Sequence, residues 1–206
     1  MSNTKPTQEK SLRIEPVTLE DIPQITQLWY DIFTMPEMRP LFPDTPGLRQ
    51  WWDHANRYDL LNKPGQKYLK VVDENGKMAA YAKWDFALDK RGDRFPPWHA
   101  ESDREACDAF FGGLERERLR LVGGKKHYYL DMLGTHPDFR RRGAASMLVA
   151  WGCDLADQNG AAVYIDASKE GAVIYEKFGF KDCSDPSRPR EVLSMVREPK
   201  SGKLDS

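Results

Sequence analysis

The chain has 206 residues, 40% of them hydrophobic and 31% charged, a composition typical of one soluble globular domain rather than a disordered chain. Its 31 basic and 32 acidic residues leave a formal net charge of −1, so no overall field favours a nucleic acid or a membrane as partner. Three widely spaced cysteines predict neither a disulfide framework nor a zinc site, and we expect no metal. No apolar run is long enough for a signal peptide or a membrane span, which predicts a cytoplasmic protein, with nuclear entry left open.

The first half of the chain is predicted to combine strands and helices. Residues 1–10 and 199–206 are polar and predict disordered tails around a single folded domain at 11–198. Apolar residues alternate with polar ones in the strand segments and recur every three or four positions in the helix segments. Asn75-Gly76 lies between two strand segments and predicts a tight hairpin turn. The predicted order is strand 12–17, helix 18–33, helix 48–61, strand 67–73 and strand 78–86.

The second half follows a long polar connection. Residues 87–125 hold one predicted helix at 106–121, since Ser102 and Glu105 have the spacing of a capping box ahead of it. Strands and helices that interleave in this way predict an α/β domain in which helices flank a mixed sheet. The remaining predicted elements are strand 127–135, helix 143–159, strand 162–168, helix 170–178, strand 180–183 and strand 191–198.

The loop before the helix at 143–159 is basic and poor in side-chain bulk. It reads His-Pro-Asp-Phe-Arg-Arg-Arg-Gly-Ala-Ala from His136 to Ala145. A helix start presents unpaired backbone N–H groups and the positive end of the helix dipole, and both favour an anion such as a phosphate. The pattern lacks the Gly-Lys-Ser/Thr of a P-loop and the three spaced glycines of a dinucleotide site. It is therefore either a phosphate cradle of another kind or an ordinary solvated turn.

Two motifs in this half resemble those of the GNAT superfamily of N-acetyltransferases. The family's phosphate loop has Gln or Arg, two residues, Gly, one residue and then Gly or Ala, which matches Arg140, Gly143 and Ala145. Its Leu-Tyr-Glu-Lys-Leu-Gly-Phe signature is similar to Ile-Tyr-Glu-Lys-Phe-Gly-Phe at 174–180, and its strand end before His-Pro is similar to 133–137. The resemblance implies a mixed, mostly antiparallel sheet of about six to seven strands. It also implies that 87–125 is a helical insertion between the third and fourth strands.

The same resemblance implies acetyl-CoA (coenzyme A) as the cofactor. Its pyrophosphate would lie on the backbone amides of 141–145 and its pantetheine beside the main chain of 133–135, with the thioester between two diverging strands. A backbone N–H near Leu133 would stabilise the developing oxyanion. The Asn common after the family's fifth strand is absent here, so no contact is carried over to that position. The implied cofactor-binding residues are Leu133, Gly134, Thr135, Arg140, Arg141, Arg142, Gly143, Ala144, Ala145 and Ser146.

Two residues are candidates for proton transfer. Tyr175, in the second motif, matches the family tyrosine that protonates the leaving thiolate, and its alternative role is packing against the sheet. The attacking amine needs a base, because an amine with a pKa of about 10.4 is almost fully protonated near neutral pH. Asp131 lies in an otherwise apolar strand, where an unpaired carboxylate is costly to bury, so it should face solvent or a cavity. It is either the general base or an ordinary surface carboxylate.

The acceptor is less well defined by the sequence. Aromatic residues cluster in the first two predicted helices, and Trp29 and Phe33 are candidates for substrate contact, although their spacing serves a core equally well. We expect a small-molecule amine as acceptor, since no basic patch or partner module accompanies the domain, and a monomer or homodimer. Two alternatives stay open: a protein lysine or N-terminal acetyltransferase, and a non-catalytic module that binds acyl-CoA for regulation.

Overall fold

The computed structural model describes residues 11–86, 93–187 and 192–200, and in these it contains one sheet of seven strands. The strands are β1 Arg13–Pro16, β2 Gln66–Val72, β3 Met78–Asp85, β4 His127–Thr135, β5 Ala162–Ser168, β6 Lys181–Asp182 and β7 Val192–Arg197. Their order across the sheet is β1-β2-β3-β4-β5-β7-β6. Neighbouring strands are antiparallel except for the parallel pair of β4 and β5. The predicted mixed, mostly antiparallel sheet is confirmed.

Five α-helices flank this sheet within the described part of the chain. They are α1 Ile22–Ile32, α2 Pro46–Asn62, α3 Arg104–Val122, α4 Ala144–Gln158 and α5 Lys169–Glu176. Thr45 caps α2 by accepting a hydrogen bond from the backbone N–H of Leu48 (3.2 Å). The predicted capping box of Ser102 and Glu105 is wrong. Asp103 caps α3 instead, because its carboxylate one residue later accepts the backbone N–H of Ala106 (3.0 Å).

Alternate residues of the central strands pack on opposite layers of helices. On β3, Ala82 and Trp84 belong to the buried cluster that includes Leu148 of α4, whereas Tyr81 packs with Leu28 of α1. Helices α4 and α5 therefore cover one face of the sheet, and α1, α2 and α3 cover the other. The core lies between these layers, with the sheet in the middle.

Strands β4 and β5 pair for only part of their length. Their parallel pairing joins 127–129 to 162–164 and then stops. Beyond it, β4 continues to Thr135 against β3, and β5 continues to Ser168 against β7. The two strands therefore diverge, and the inner edge of β4 from residue 130 onward has no strand beside it among the described residues.

A β-bulge lies on β4 at the point of divergence. Lys83 pairs with Met132 and Trp84 pairs with Leu130, which leaves Asp131 as an extra residue on β4. Bulges bend a strand and redirect the extra side chain, and they are frequent next to active sites. The local sequence of the bulge thus contributes to the opening between the strands.

Some predicted segments lie outside the described residues. These are the predicted tails at 1–10 and 201–206 and the first part of the predicted insertion, 87–92. The predicted C-terminal tail begins at 199, but the backbone N–H of Lys200 donates to Asp157 of α4 (2.8 Å). The chain is therefore attached to the domain up to that residue.

The remaining boundaries differ from prediction by a few residues. The predicted helix at 18–33 begins with a 3₁₀ turn at Leu19–Asp21 before α1, and the predicted strand at 180–183 is shorter, as β6. The helix predicted at 106–121 is α3, and the Asn75-Gly76 hairpin joins β2 to β3 as predicted. In the described part of the chain, no helix has the length and apolarity that crossing a membrane requires.

Candidate active site

A cavity of about 450 Å³ opens where β4 and β5 diverge. One end, which we call the cradle end, lies beside Arg140 and Ala145 at the loop before α4. Farther in, Tyr175 and two carboxylates, Asp131 and Asp166, line the cavity. The other end, which we call the aromatic end, is lined by rings from α1, α2, α3 and the loops before α2 and α3. These rings include Trp29, Phe33, Phe42, Trp52, Phe95 and Phe111.

The cradle end is a tight basic loop that leads into α4. Arg141 has a φ of +60° and Gly143 a φ of +87°, a left-handed backbone that glycine adopts without steric cost. No side chain caps α4, and its first turn closes with a hydrogen bond from the Met147 N–H to the Gly143 carbonyl (3.0 Å). The amides that precede Met147 at the helix start have no partner within the helix, so they can bind an anion at this point.

The predicted cofactor residues fall into three groups. Leu133, Thr135, Arg140 and Ala145 line the cavity. Gly134 faces the opposite side, since a Cβ added there would lie 2.7 Å from the Ile32 side chain of α1, and only its backbone can take part. The others form the rest of the loop and the first turn of α4: Arg141, Arg142, Gly143, Ala144 and Ser146. Their roles in binding stay predictions.

These features fit the acetyl-CoA that the sequence motifs imply. The pyrophosphate is an anion, and the cradle end offers it backbone amides, a helix dipole and the exposed guanidinium groups of 140–142. The pantetheine arm carries amide groups, which pair well with an open strand edge. Residues 130–135 of β4 provide such an edge, because β5 no longer pairs with them.

Tyr175 lies on α5 with its ring buried against the sheet and lines the cavity. Ser168 starts this helix by accepting the backbone N–H of Gly171 (3.1 Å), and the Tyr175 ring packs 5.7 Å from that of Phe180. The predicted packing against the sheet is therefore present, and the role of Tyr175 as general acid stays a prediction. Burial raises the pKa of the phenol above its ordinary value, so the hydroxyl stays protonated at neutral pH.

Asp131 lies among buried cations rather than at the surface. Its carboxylate is 2.9 Å from Lys83 Nζ and 2.5 Å from an Arg94 nitrogen, and only 3% of the side chain is exposed. Burial alone would raise the pKa of this carboxyl, but Arg94 and Lys83 outweigh burial and lower it to about 2. The interpretation of Asp131 as a surface carboxylate is wrong. A carboxylate that holds a proton so weakly is also a poor general base, so these contacts argue against that predicted role.

The charges behind Asp131 form a buried chain. Lys83 Nζ also contacts Asp59 of α2 at 2.7 Å, and Asp59 contacts Lys63 at 2.7 Å. The Tyr68 hydroxyl donates to the same Asp59 carboxylate (3.1 Å). Because each buried charge has an opposite charge beside it, the chain holds Asp131 as a fixed negative charge at the cavity wall.

Asp166 on β5 is a second carboxylate of the cavity, which the sequence reasoning missed. The Tyr129 hydroxyl donates to one of its oxygens (2.9 Å) and the Tyr164 hydroxyl to the other (2.6 Å). Burial raises the pKa of Asp166, and the hydrogen bond from Tyr164 and the charge of Arg94 oppose that rise without cancelling it. The available signal was the one used for Asp131, a single carboxylate within an otherwise apolar strand.

The aromatic end includes both predicted substrate residues. Trp29 and Phe33 stack with their ring centroids 5.2 Å apart, and both line the cavity. The sequence reasoning missed Arg94, Phe95 and Phe111, which come from the predicted insertion. The Arg94 guanidinium lies 5.1 Å from the Phe95 ring centroid and 5.2 Å from that of Phe111. The Phe110-Phe111 pair of α3 was a sequence signal for this wall. Contact of Trp29 and Phe33 with a substrate stays a prediction.

Comparison with known proteins identifies the family. The model of the Acetyltransferase (GNAT) family matches residues 22–180, from the start of α1 to the end of the second motif. The chain belongs to this family, which supports acyl transfer as its activity. A probable acyltransferase, SID5 of Ajellomyces capsulatus, is 25% identical over an alignment of 111 residues that covers 48% of this chain and 78% of that protein.

Solved structures share the fold at low sequence identity. Arylalkylamine N-acetyltransferase 2 of Aedes aegypti has a TM-score of 0.64 at 14% identity, covering 91% of this chain and 99% of its own. A structure described as histone acetyltransferase HPA2 and related acetyltransferase, from Corynebacterium glutamicum, has a TM-score of 0.59 at 18% identity, with 94% and 99% covered. The ribosomal-protein-S18-alanine N-acetyltransferase of Escherichia coli has a TM-score of 0.56 at 14% identity, with 94% and 98% covered. These similarities establish the fold alone.

Proposed function

We propose that the protein is an N-acetyltransferase that moves the acetyl group of acetyl-CoA directly to a primary amine of a small molecule. The observation that carries this proposal is the single cavity that joins a phosphate-type cradle, a protonated tyrosine and an aromatic end. Acetyl-CoA supplies an activated acetyl thioester when bound. No protein nucleophile is needed, because an amine attacks a thioester directly.

The residues of the chain would act on charge and protons. The amides at the start of α4 and Arg140 would hold the pyrophosphate, and the open edge of β4 would align the pantetheine. The backbone N–H near Leu133 would stabilise the negative charge that develops on the carbonyl oxygen. Tyr175 would donate its proton to the departing sulfur, whose own proton affinity is raised by the same apolar surroundings.

The acceptor that fits the aromatic end has an apolar or aromatic body and one amine. Rings from three helices line this end, and two carboxylates, Asp131 and Asp166, lie toward the interior of the cavity, where Arg94 is paired to Asp131. An ammonium group would be drawn inward by the carboxylates while the apolar body rests among the rings. The fold neighbour named as an arylalkylamine N-acetyltransferase is consistent with such an acceptor, at 14% identity.

The 93–111 segment, which belongs to the predicted insertion, favours a small molecule over a protein as the acceptor. Arg94, Phe95 and Phe111 wall the aromatic end, so the 93–111 segment narrows the cavity where a peptide would need an open groove. We expect the enzyme to act in the cytosol as a monomer or homodimer. The free thiols of Cys107, Cys153 and Cys183 agree with a reducing compartment.

A thiol-release screen tests the proposal. The purified protein and acetyl-CoA are incubated with arylalkylamines, polyamines, amino acids and lysine or N-terminal peptides, and free thiol and acetylated product are measured. We expect release with amines that carry an apolar body. Release only with peptides would replace the proposal by a protein acetyltransferase. Tight acetyl-CoA binding without release on any amine would indicate the non-catalytic module instead.

A further inference from the structure

A second cavity shares part of its wall with the first one at the divergence of β4 and β5. It has a volume of about 470 Å³ and lies between α3 and the sheet. Unlike the aromatic end, its wall is rich in charged side chains, including Glu115, Arg118 and Lys125. Asp166 and Asp131 line both cavities. We call this second space the polar cavity.

We propose that Asp166 is the proton acceptor for the acceptor ammonium, and that the polar cavity carries this proton to solvent. The inference rests on the proposed function and adds the base that it requires. Position selects Asp166: its carboxylate lies on the wall shared by the space for the amine and a space polar enough to hold water. Asp131 has the same position, but both of its neighbouring cations bind it directly.

Two phenols orient the Asp166 carboxylate without neutralising it. Tyr129 and Tyr164 each donate to a different oxygen, and every carboxylate oxygen keeps a further lone pair for an ammonium N–H. Burial raises the pKa of both phenols above the ordinary value, so they remain donors throughout the physiological range. Asp166 thus keeps a fixed direction while it gains and loses a proton.

The charged and titratable groups around Asp166 come from each neighbouring element. Arg94 comes from the segment before α3 and is ion-paired to Asp131. Across the polar cavity, α3 presents Glu115 and Arg118, which pair with each other, and Lys125 and His127 lie in the same wall. On the side of the first cavity, α5 adds Glu170 and Tyr175. The nearer groups are Tyr129 and Asp131 on β4, Tyr164 on β5, and Ser194 on β7, which is hydrogen-bonded to Tyr164 (3.1 Å). Among the described residues, no cation is ion-paired to Asp166, so its carboxylate is available to an incoming ammonium.

This assignment accounts for both protons that the ammonium nitrogen loses in the reaction. The ammonium gives one proton to Asp166, and the neutral nitrogen forms a bond to the acetyl carbon while Asp166 still holds that proton. Asp166 passes the proton to water in the polar cavity only after the transfer. As the carbon–sulfur bond breaks, Tyr175 gives its proton to sulfur and regains the second proton that the nitrogen loses. The products are the acetamide, free coenzyme A and one proton released to solvent.

The test compares Asp166→Asn with the unaltered enzyme on two acceptors of similar shape. One is a strongly basic arylalkylamine, and the other is a fluorinated analogue that is already neutral at pH 7.5. We expect Asp166→Asn to lower kcat/KM for the basic amine about 100-fold, the usual scale of general-base catalysis, and to leave the neutral amine within a few fold. The exposed Asp154→Asn of α4 serves as the matched control and should change neither rate.

The pH dependence of kcat/KM tests the inference on the unaltered enzyme, so this test does not depend on the folding of a variant. With the basic amine, the unaltered enzyme should reach a plateau in kcat/KM well below the amine pKa, because Asp166 removes the proton. A rate that climbs about tenfold per pH unit up to the amine pKa would mean that only the free amine reacts, and would overturn the inference. An equal loss of kcat/KM for both amines in a folded Asp166→Asn variant would overturn the inference as well. No transfer to any amine by the unaltered enzyme would instead remove the proposed function itself.

Discussion

The two ends of the active-site cavity are built in different ways. The cradle end consists of backbone amides, a glycine in a left-handed conformation and small side chains at the start of α4. The aromatic end consists of large side chains from three helices and two loops, arranged edge-to-face and stacked. A site made of backbone has one short sequence pattern, whereas a site made of distant side chains has none. This difference explains why the donor is easier to identify than the acceptor.

The largest effect is expected at the cradle end, from Gly143→Glu. The added carboxylate repels a pyrophosphate, and the φ of +87° makes any side chain there cost about 1–2 kcal/mol. We expect stabilisation of the protein by acetyl-CoA in thermal unfolding to disappear. Gly76→Glu, at the hairpin turn with a φ of +79°, carries the same strain far from the cradle and should keep the full ligand shift. An equal stabilisation of the two variants by acetyl-CoA would contradict the assignment of the cradle end as the pyrophosphate site.

The next effect concerns Asp131, where the two ends meet. Asp131→Asn removes the counter-charge of Arg94 and one of the two carboxylates beside Lys83, which keeps Asp59, and we expect a loss of about 3–5 kcal/mol in the free energy of unfolding. Asp44→Asn removes an exposed partner of Arg49 and should lose less than about 1 kcal/mol. Denaturant unfolding measures both.

The difference in the free energy of unfolding between the unaltered protein and Asp131→Asn, which we call the stability gap, should depend on pH in a defined direction. The folded-state pKa of about 2 lies below the ordinary 3.8, so the ionised carboxylate stabilises the fold above that ordinary value. This contribution is lost as the pH falls through 3.8 toward 2. The gap between the unaltered protein and Asp131→Asn should therefore be constant near neutral pH and shrink in acid. A gap that widens in acid would contradict the ion-paired state of Asp131.

A smaller effect is expected from Tyr175→Phe, which removes only a hydroxyl from the cavity. We expect kcat to fall about 100-fold under conditions where chemistry limits the rate, with the affinity for acetyl-CoA nearly unchanged. Tyr128→Phe, in the core away from the cavity, is the matched control and should retain the parent kcat. A Tyr175→Phe enzyme as fast as the parent would remove Tyr175 as the acid.

The smallest effect is expected at the aromatic end, from Phe111→Ala. The ring lies 4.8 Å from that of Phe95, and losing one such contact should raise KM for an apolar amine about tenfold, or about 1.4 kcal/mol. KM for acetyl-CoA should stay constant, because Phe111 lies at the aromatic end and acetyl-CoA would bind at the cradle end. Leu119→Ala, at an exposed site of the same helix, is the control. A change in KM for acetyl-CoA alone would contradict the placement of Phe111 at the aromatic end.

The sequence predicts the fold well because the elements follow local periodicity. The hairpin at Asn75-Gly76 and the helix after Gly143 depend on neighbouring residues, and the structure has both where predicted. The capping box ahead of α3 was misassigned because Ser102 and Asp103 are adjacent and both suit a cap. Only the geometry of the first turn selects Asp103.

The electrostatics of the site were beyond sequence reasoning. Asp131 and Asp166 give the same signal, one carboxylate within an apolar strand, yet two cations surround the first and two phenols hold the second. Arg94 is 37 positions from Asp131 in the sequence, so no local pattern predicts their contact. The distinction between a fixed charge and a proton acceptor therefore required the three-dimensional arrangement.

Calorimetric titration of the unaltered protein with acetyl-CoA tests the central claim most directly. A parallel titration uses acetyl-pantetheine, which has the same thioester but no pyrophosphate. We predict saturable binding of acetyl-CoA at a ratio of one per chain and much weaker binding of acetyl-pantetheine. Equal binding of the two would contradict the cradle, and no binding of acetyl-CoA would contradict the proposed acetyl transfer.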